Sequence, residues 1–175
     1  AGDGNFYPTE QLTGYAFAKM LLIALGYDAD REGYTGTSWT VNVASDATSA
    51  GIDQDGLLMS SGLSREGAAQ MCLNTLEADM VSYSGSSSTT VSTGDGTSIV
   101  ISGSAEEINN SESDDYRTDS EDSDDVQQFC EYYFEYLQKN EADTDEFGRP
   151  AVSWRYRSST IGTYSEEADG SFIAS

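Results

Sequence analysis

The sequence predicts an α+β protein: a helical block, then a β-hairpin, then a small α+β tail. Three observations carry that reading. Apolar residues recur at helical spacing in three stretches before residue 80 and once more after 126. Two Thr-, Val- and Ile-containing runs flank Gly94-Asp95-Gly96, and "AVSWRYR" near the end alternates as a half-buried strand does. The matching domains are 1–81, helical; 82–125, hairpin and acidic linker; and 126–175, a helix with short strands.

The opening "GDGNFYP" is turn chemistry, with Gly2 and Gly4 around Asp3 and Pro8 closing the segment. Thr13 then caps a helix over 12–25, whose expected buried stripe is Phe17, Met20, Leu21, Ala24 and Leu25, and Gly26 ends it. A loop, "YDADREGYTGTS", leads to a second helix over 39–50, in which Trp39, Val43 and Ala47 recur every fourth residue and Gly51 is the terminator. Ser64 caps a third helix over 64–78, with Ala68, Met71, Cys72, Thr75 and Leu76 as its stripe. The first and third helices share Leu12/Leu63, Ala18/Ala69, Met20/Met71, Leu22/Leu73 and Leu25/Leu76 at an offset of 51 residues. An internal repeat is the simplest account.

Thr90–Ser92 and Ser98–Ile101 read as hairpin arms. "SAEEINNSESDDYRTDSEDSDD" is nearly free of apolar residues and reads as a solvated linker. A last helix is expected over 126–138, with Val126, Phe129, Cys130, Tyr133, Phe134 and Leu137 on one stripe. "FGRP" is a turn. Val152, Trp154 and Tyr156 then alternate with Ser153, Arg155 and Arg157, and "TIGTYS" and "SFIAS" are short strand candidates, with one sheet shared by tail and hairpin as a candidate arrangement.

Composition narrows function. Eight basic residues against 31 acidic ones give a net charge of -23, and histidine is absent. Such a chain repels nucleic acid and anionic lipid. It also lacks the residue on which most acid–base, triad and zinc chemistry depends. With so many carboxylates, chance pairs are certain, so none marks a glycosidase and no enzyme is expected. No apolar run reaches membrane-span length, "AFAKMLLIAL" being interrupted by Lys19, so no membrane insertion is expected. The first residues, "AGDGNFYP", lack the basic-then-apolar pattern of a leader, as in a mature product or a fragment. Low Lys with abundant Ser, Thr, Gly and Tyr leans toward an extracellular protein. No cofactor is implied. "SESDDYRTDSEDSDD" offers calcium-binding oxygens, but it lacks the central Gly and final Glu of a twelve-residue calcium loop. "YDADREG" and "STGDGTS" are weaker calcium candidates still.

The order Trp39, spaced small and apolar residues, Gly51, a loop and then "LSREGAAQM" resembles the S-layer homology repeat of bacterial surface proteins, especially the clostridial type. "GDGNFYP" matches that family's Gly-rich loop ending in Phe-x-Pro, and "LTGYAFAKM" matches its second helix. The likeness covers residues 1–81 and, less specifically, 126–164. It implies a helical fold of repeats packed about a pseudo-threefold axis. It also implies a non-enzymatic, extracellular cell-surface role, with non-covalent attachment to the pyruvylated secondary cell-wall polymer. The anion-contacting Arg of the family's signature falls on Arg65, where a guanidinium suits a ketal carboxylate. Gly14 stands at that position in the first copy, which therefore lacks the anion contact. Glu66 beside Arg65 suits the positive end of its helix.

Trp39 is either a sugar-stacking wall or, the better reading, a core anchor. One complete repeat and the end of another are present, so upstream repeats or neighbouring copies would supply the missing faces. The alternative function is a subunit of a self-assembling extracellular filament or lattice, paired through the hairpin edge. For Cys72 and Cys130 two readings stand. Each fits a buried stripe as a free thiol. In the oxidising exterior they could instead form a bridge closing a loop of 58 residues, stabilising by roughly 4 kcal/mol.

Overall fold

The structure is a computed structural model. It describes residues 9–54, 56–58, 61–83, 89–92, 98–101, 104–109 and 126–165. At 89–92, 98–101, 141–142 and 164–165 the description is of the backbone. The segments 1–8, 93–97, 110–125 and 166–175 lie outside it, and with them "GDGNFYP", the hairpin turn, most of the acidic linker and "SFIAS". Both helices and sheets are present, and the chain forms two compact units, Ala1–Ile108 and Asn109–Ser175.

In the first unit α1 spans Gly14–Leu25, α2 Trp39–Ser49 and α3 Arg65–Glu77. Local chemistry sets their ends. The Thr13 hydroxyl accepts a hydrogen bond from the Ala16 amide at 3.2 Å, and the Ser64 hydroxyl accepts one from Gly67 at 3.0 Å. Gly26 closes α1 with φ 110°, and a Cβ there would sit 2.1 Å from the Val81 carbonyl oxygen. Handedness and close approach therefore both require glycine. Gly51, φ 71°, turns the chain after α2. The Leu63 amide donates to the Leu12 carbonyl at 2.7 Å, so the segments leading into α1 and α3 run side by side.

After α3, β1 (Val81–Ser82) pairs antiparallel with β4 (Glu106–Glu107), and the Ile108 amide donates to the Met80 carbonyl at 2.9 Å. Between them β2 (Thr89–Ser92) and β3 (Ser98–Ile101) pair antiparallel as the expected hairpin arms. They form their own two-stranded sheet and are not part of the sheet of the tail.

The packing faces differ from the expected stripes. On α1 the buried positions are Gly14, Ala18, Leu22 and Leu25, whereas Met20 is 58% exposed and Phe17, Leu21 and Ala24 are only half-buried. On α3 they are Gly67, Met71, Asn74 and Thr75, while Cys72 is exposed and Leu76 half-buried. Trp39, also expected in the core, is half-buried, though Val43 and Ala47 are fully buried. The caps thus follow an offset of 51 residues, but the buried faces coincide at 53: Gly14/Gly67, Ala18/Met71, Leu22/Thr75, Leu25/Ala78. Two residues turn a helix by about 200°, so Met20 and Met71, aligned in sequence, face opposite environments. The cause is that α1 is apolar nearly all round and offers two stripes. Its Gly14/Ala18 stripe is the slimmer one and admits the backbones of α2 and α3, both of which pack against α1.

The second unit departs further from expectation. The helix expected over 126–138 is only α4, Phe129–Tyr133. Gln128 and Glu131 cap it reciprocally, and Cys130 and Glu131 are its buried residues. Phe134 is 44% and Tyr133 54% exposed, not buried. Leu137 instead begins β5 (Leu137–Thr144), which pairs with β6 (Pro150–Tyr156), which pairs with β7 (Ser159–Ser165), all antiparallel. Tyr132 and Tyr133 are the last residues of α4, Phe134 to Tyr136 lie between helix and strand, and the chain becomes extended from Leu137, where pairing with β6 begins. That ladder takes Leu137 out of the helical spacing. The turn at Asp145–Arg149 is as expected: the Asp145 carboxylate accepts from the Phe147 and Arg149 amides, and Gly148 takes φ 75°. In β6 the expected alternation fails. Ala151, Val152, Ser153 and Trp154 are all buried, as in a strand covered on both faces, while Tyr156 is 42% exposed.

The two stripes of α1 are separable by mutation. Leu22→Ala should lower the stability of the first unit by about 2–5 kcal/mol, and Met20→Ala by less than about 0.5 kcal/mol. Urea unfolding of both variants measures the difference, and equal losses would refute this packing.

Candidate ligand-binding groove

The groove begins with a loop that is built rather than loose. The Asp28 carboxylate accepts from the Asp30 and Arg31 amides, both at 3.0 Å, which holds that carboxyl below its ordinary pKa. The Tyr83 hydroxyl accepts from the Asp28 amide at 2.8 Å and donates to Glu32 at 2.7 Å, and the Arg31 guanidinium lies 4.7 Å from the Tyr83 ring centre. Asn42 on α2 donates to the Gly33 carbonyl at 3.1 Å. These bonds deliver Tyr34, 1% exposed, into the core, where its hydroxyl donates to Asp46 at 2.8 Å.

Over Tyr34 the loop, α1 and α2 enclose an open groove of about 320 Å³, lined by Ala16, Lys19, Tyr34, Thr35 and Trp39. The Lys19 ammonium donates to the Tyr34 carbonyl at 2.6 Å and lies 5.8 Å from the centre of the Trp39 ring. A fixed cation beside an accessible indole suits a ligand with one anionic group and an apolar face.

Of the candidate residues named from the sequence, Trp39 lines this groove and Arg65 does not. Arg65 is the first residue of α3, exposed, and forms no ion pair among the described residues. Lys19 and Tyr34 were not anticipated as site residues. A sequence clue to Lys19 existed: it is the one charged residue within α1. Cys72 is exposed on α3 and so leaves its expected place on a packed stripe, whereas Cys130 is fully buried in the second unit.

A second cavity, about 310 Å³, lies at the ends of α2 and α3 and is acidic, with Glu77, Asp79 and Glu107 in its lining. Burial first, then Asp46 and Glu32 and after them the cavity's Glu107 and Asp79, raise the Tyr27 pKa. In "YDADREG", Asp28 and Glu32 are committed to amides and to Tyr83. Among the described residues no group of three or more metal-ligating side chains converges, and no helix is long and apolar enough to cross a membrane.

Compared with family models, with curated proteins and with solved structures, the chain gives no match.

Two measurements test this geometry. Cys72 should react with a water-soluble thiol reagent in the native protein, and Cys130 only after unfolding; two reactive thiols in the native state would contradict the burial. Tyr34 is held protonated above the ordinary range by burial and then by Asp46, and burial raises Tyr27 and Tyr83 too. Unfolded tyrosines ionise near pH ~10. The folded-state pKa values are higher, so the stability these tyrosines contribute should be fully present below about pH 10 and be lost as pH rises through them. Tyr34→Phe should shrink that fall, as followed by urea midpoints across the alkaline range.

Proposed function

We propose that the chain is a non-enzymatic, extracellular structural protein of the bacterial cell surface that attaches non-covalently to an anionic wall polymer through its helical unit. The observation that carries this reading is the Lys19–Trp39 groove. In a chain of net charge -23, a cation fixed beside an accessible indole marks where one anionic sugar is tolerated. Arg65, exposed and without an acidic partner among the described residues, adds a second anion contact, consistent with the S-layer homology resemblance of "LSREGAAQM". The reaction is binding only. The polymer's carboxylate meets Lys19 or Arg65, its sugar ring lies on Trp39, and no bond is made or broken.

A second reading, a self-assembling subunit, is favoured by β7. That edge strand, "STIGTYS", carries no charge or proline and exposes Ile161 to 63%, so it lacks the usual guards against pairing with another chain.

Co-sedimentation with purified cell walls tests the first reading. Lys19→Gln and Arg65→Ala should each weaken binding about tenfold or more. Unchanged sedimentation of the double variant would reject attachment through this unit. Sedimentation velocity of the free protein tests the second: a monomer of 18.8 kDa at all concentrations excludes assembly.

A further inference from the structure

The second unit carries a cluster that the attachment reading does not use. The turn joining β6 to β7 has two residues, Arg157 and Ser158, with φ 49° and 68°. Such turns ordinarily use Asn-Gly or Gly-Gly, because a Cβ disfavours positive φ. Two side-chain-bearing residues here hold the backbone in a disfavoured region. The first of them, Arg157, is set against two tyrosines. Its amide donates to the Tyr136 carbonyl at 3.1 Å, and its guanidinium lies 4.8 Å from the Tyr136 ring centre and 5.5 Å from that of Tyr156. The two rings stand edge to face, 82° apart in plane with centres 6.4 Å apart, and are 47% and 42% exposed.

Among the described residues no carboxylate pairs with Arg157, although the chain has 31. The contrast with nearby cations is direct: Arg149 is held by Asp145 at 2.6 Å and Arg155 by Asp143 at 3.8 Å. Among the described residues Arg157 has no acidic partner for its donors, and the tyrosine rings lie against its guanidinium.

We propose that Tyr136, Tyr156 and Arg157 form a binding site for an acidic saccharide, a sugar bearing a carboxylate or a phosphate. The guanidinium takes the oxyanion through paired N–H donors, which need no reorientation because the aromatic rings already hold the group. The exposed ring surface takes the apolar C–H face of the sugar. The field of the whole chain selects against other anions. A nucleic acid, polyphosphate or acidic peptide brings dense negative charge toward a surface of net charge -23, whereas a sugar brings one anion among neutral groups. The site shares no residue with the Lys19–Trp39 groove and does not rest on the attachment reading.

The test is titration of the full-length chain, nitrogen-15 labelled, followed by the amide signals of Arg157 and the ring signals of Tyr136 and Tyr156. The probes are methyl glucuronide, glucose 6-phosphate, methyl glucoside, inorganic phosphate and a tetraglutamate peptide. The proposal expects saturable shifts with one or both acidic sugars, and affinities about tenfold weaker or less for the other three. The first two probes separate carboxylate from phosphate preference. Arg157→Gly should keep the hairpin, since glycine suits positive φ, and lose binding. Arg157→Lys keeps the charge and should bind about tenfold more weakly, because it lacks the fork. Absence of shifts with both acidic sugars overturns the proposal. So does equal binding of methyl glucoside, inorganic phosphate or the peptide, or retained affinity in Arg157→Gly.

Discussion

Much of the first unit depends on how one residue, Tyr34, is buried. Its side chain is almost fully removed from solvent, which is tolerable only because the hydroxyl donates to Asp46 on α2. Its carbonyl is the acceptor for Lys19 on α1. A single residue therefore ties the loop to two helices, and the bonds that bring it there through Asp28, Glu32, Asn42 and Tyr83 are preparation for that burial. The groove is a consequence. Once Tyr34 sits beneath, Lys19 must lie over the loop and beside Trp39, so cation and indole are held by the core rather than by each other.

The distribution of positive charge follows a related rule. Salt bridges are few among the described residues despite the acid excess, and Lys19, Arg31, Arg149 and Arg157 each lie over an aromatic ring. Aromatic faces give a cation a fixed position without neutralising it. The Lys19 ammonium donates to a carbonyl, and neither Lys19 nor Arg157 has an acidic partner among the described residues.

What could be read from the sequence was local. Thr13, Ser64, Gly26 and Gly51 mark helix ends through bonds within a few residues, and all four do so in the fold. The hairpin arms and the Asp145–Arg149 turn were legible for the same reason. Which face of a helix is buried was not local. On α1 nearly every position is apolar, and the choice of the Gly14/Ala18 stripe belongs to the helices that pack on it. The stretch after Tyr133 is similar: its aromatics satisfy a helical spacing, but the ladder with β6 is made by residues up to twenty positions away. The site divides likewise. Trp39 was visible because a large aromatic at a helix start is conspicuous, whereas Lys19 became a site residue only through a carbonyl fifteen residues on.

The starts of α1 and α3 share their local chemistry and differ in what they bury. Thr13 and Ser64 cap in the same way, and their approach segments join through the Leu63–Leu12 hydrogen bond, so the start of each helix is preserved at an offset of 51 residues. The buried faces nonetheless differ by about 200°. A cap constrains only the first turn, and beyond it side-chain volume decides. Gly14, which follows the cap of α1 as Arg65 follows that of α3, illustrates the outcome. It is buried and gives α1 a slim side, whereas Arg65 is exposed at the start of α3. The position after the cap is thereby assigned to packing in α1 and left accessible in α3. The two helices share a way of starting and differ in how they are used.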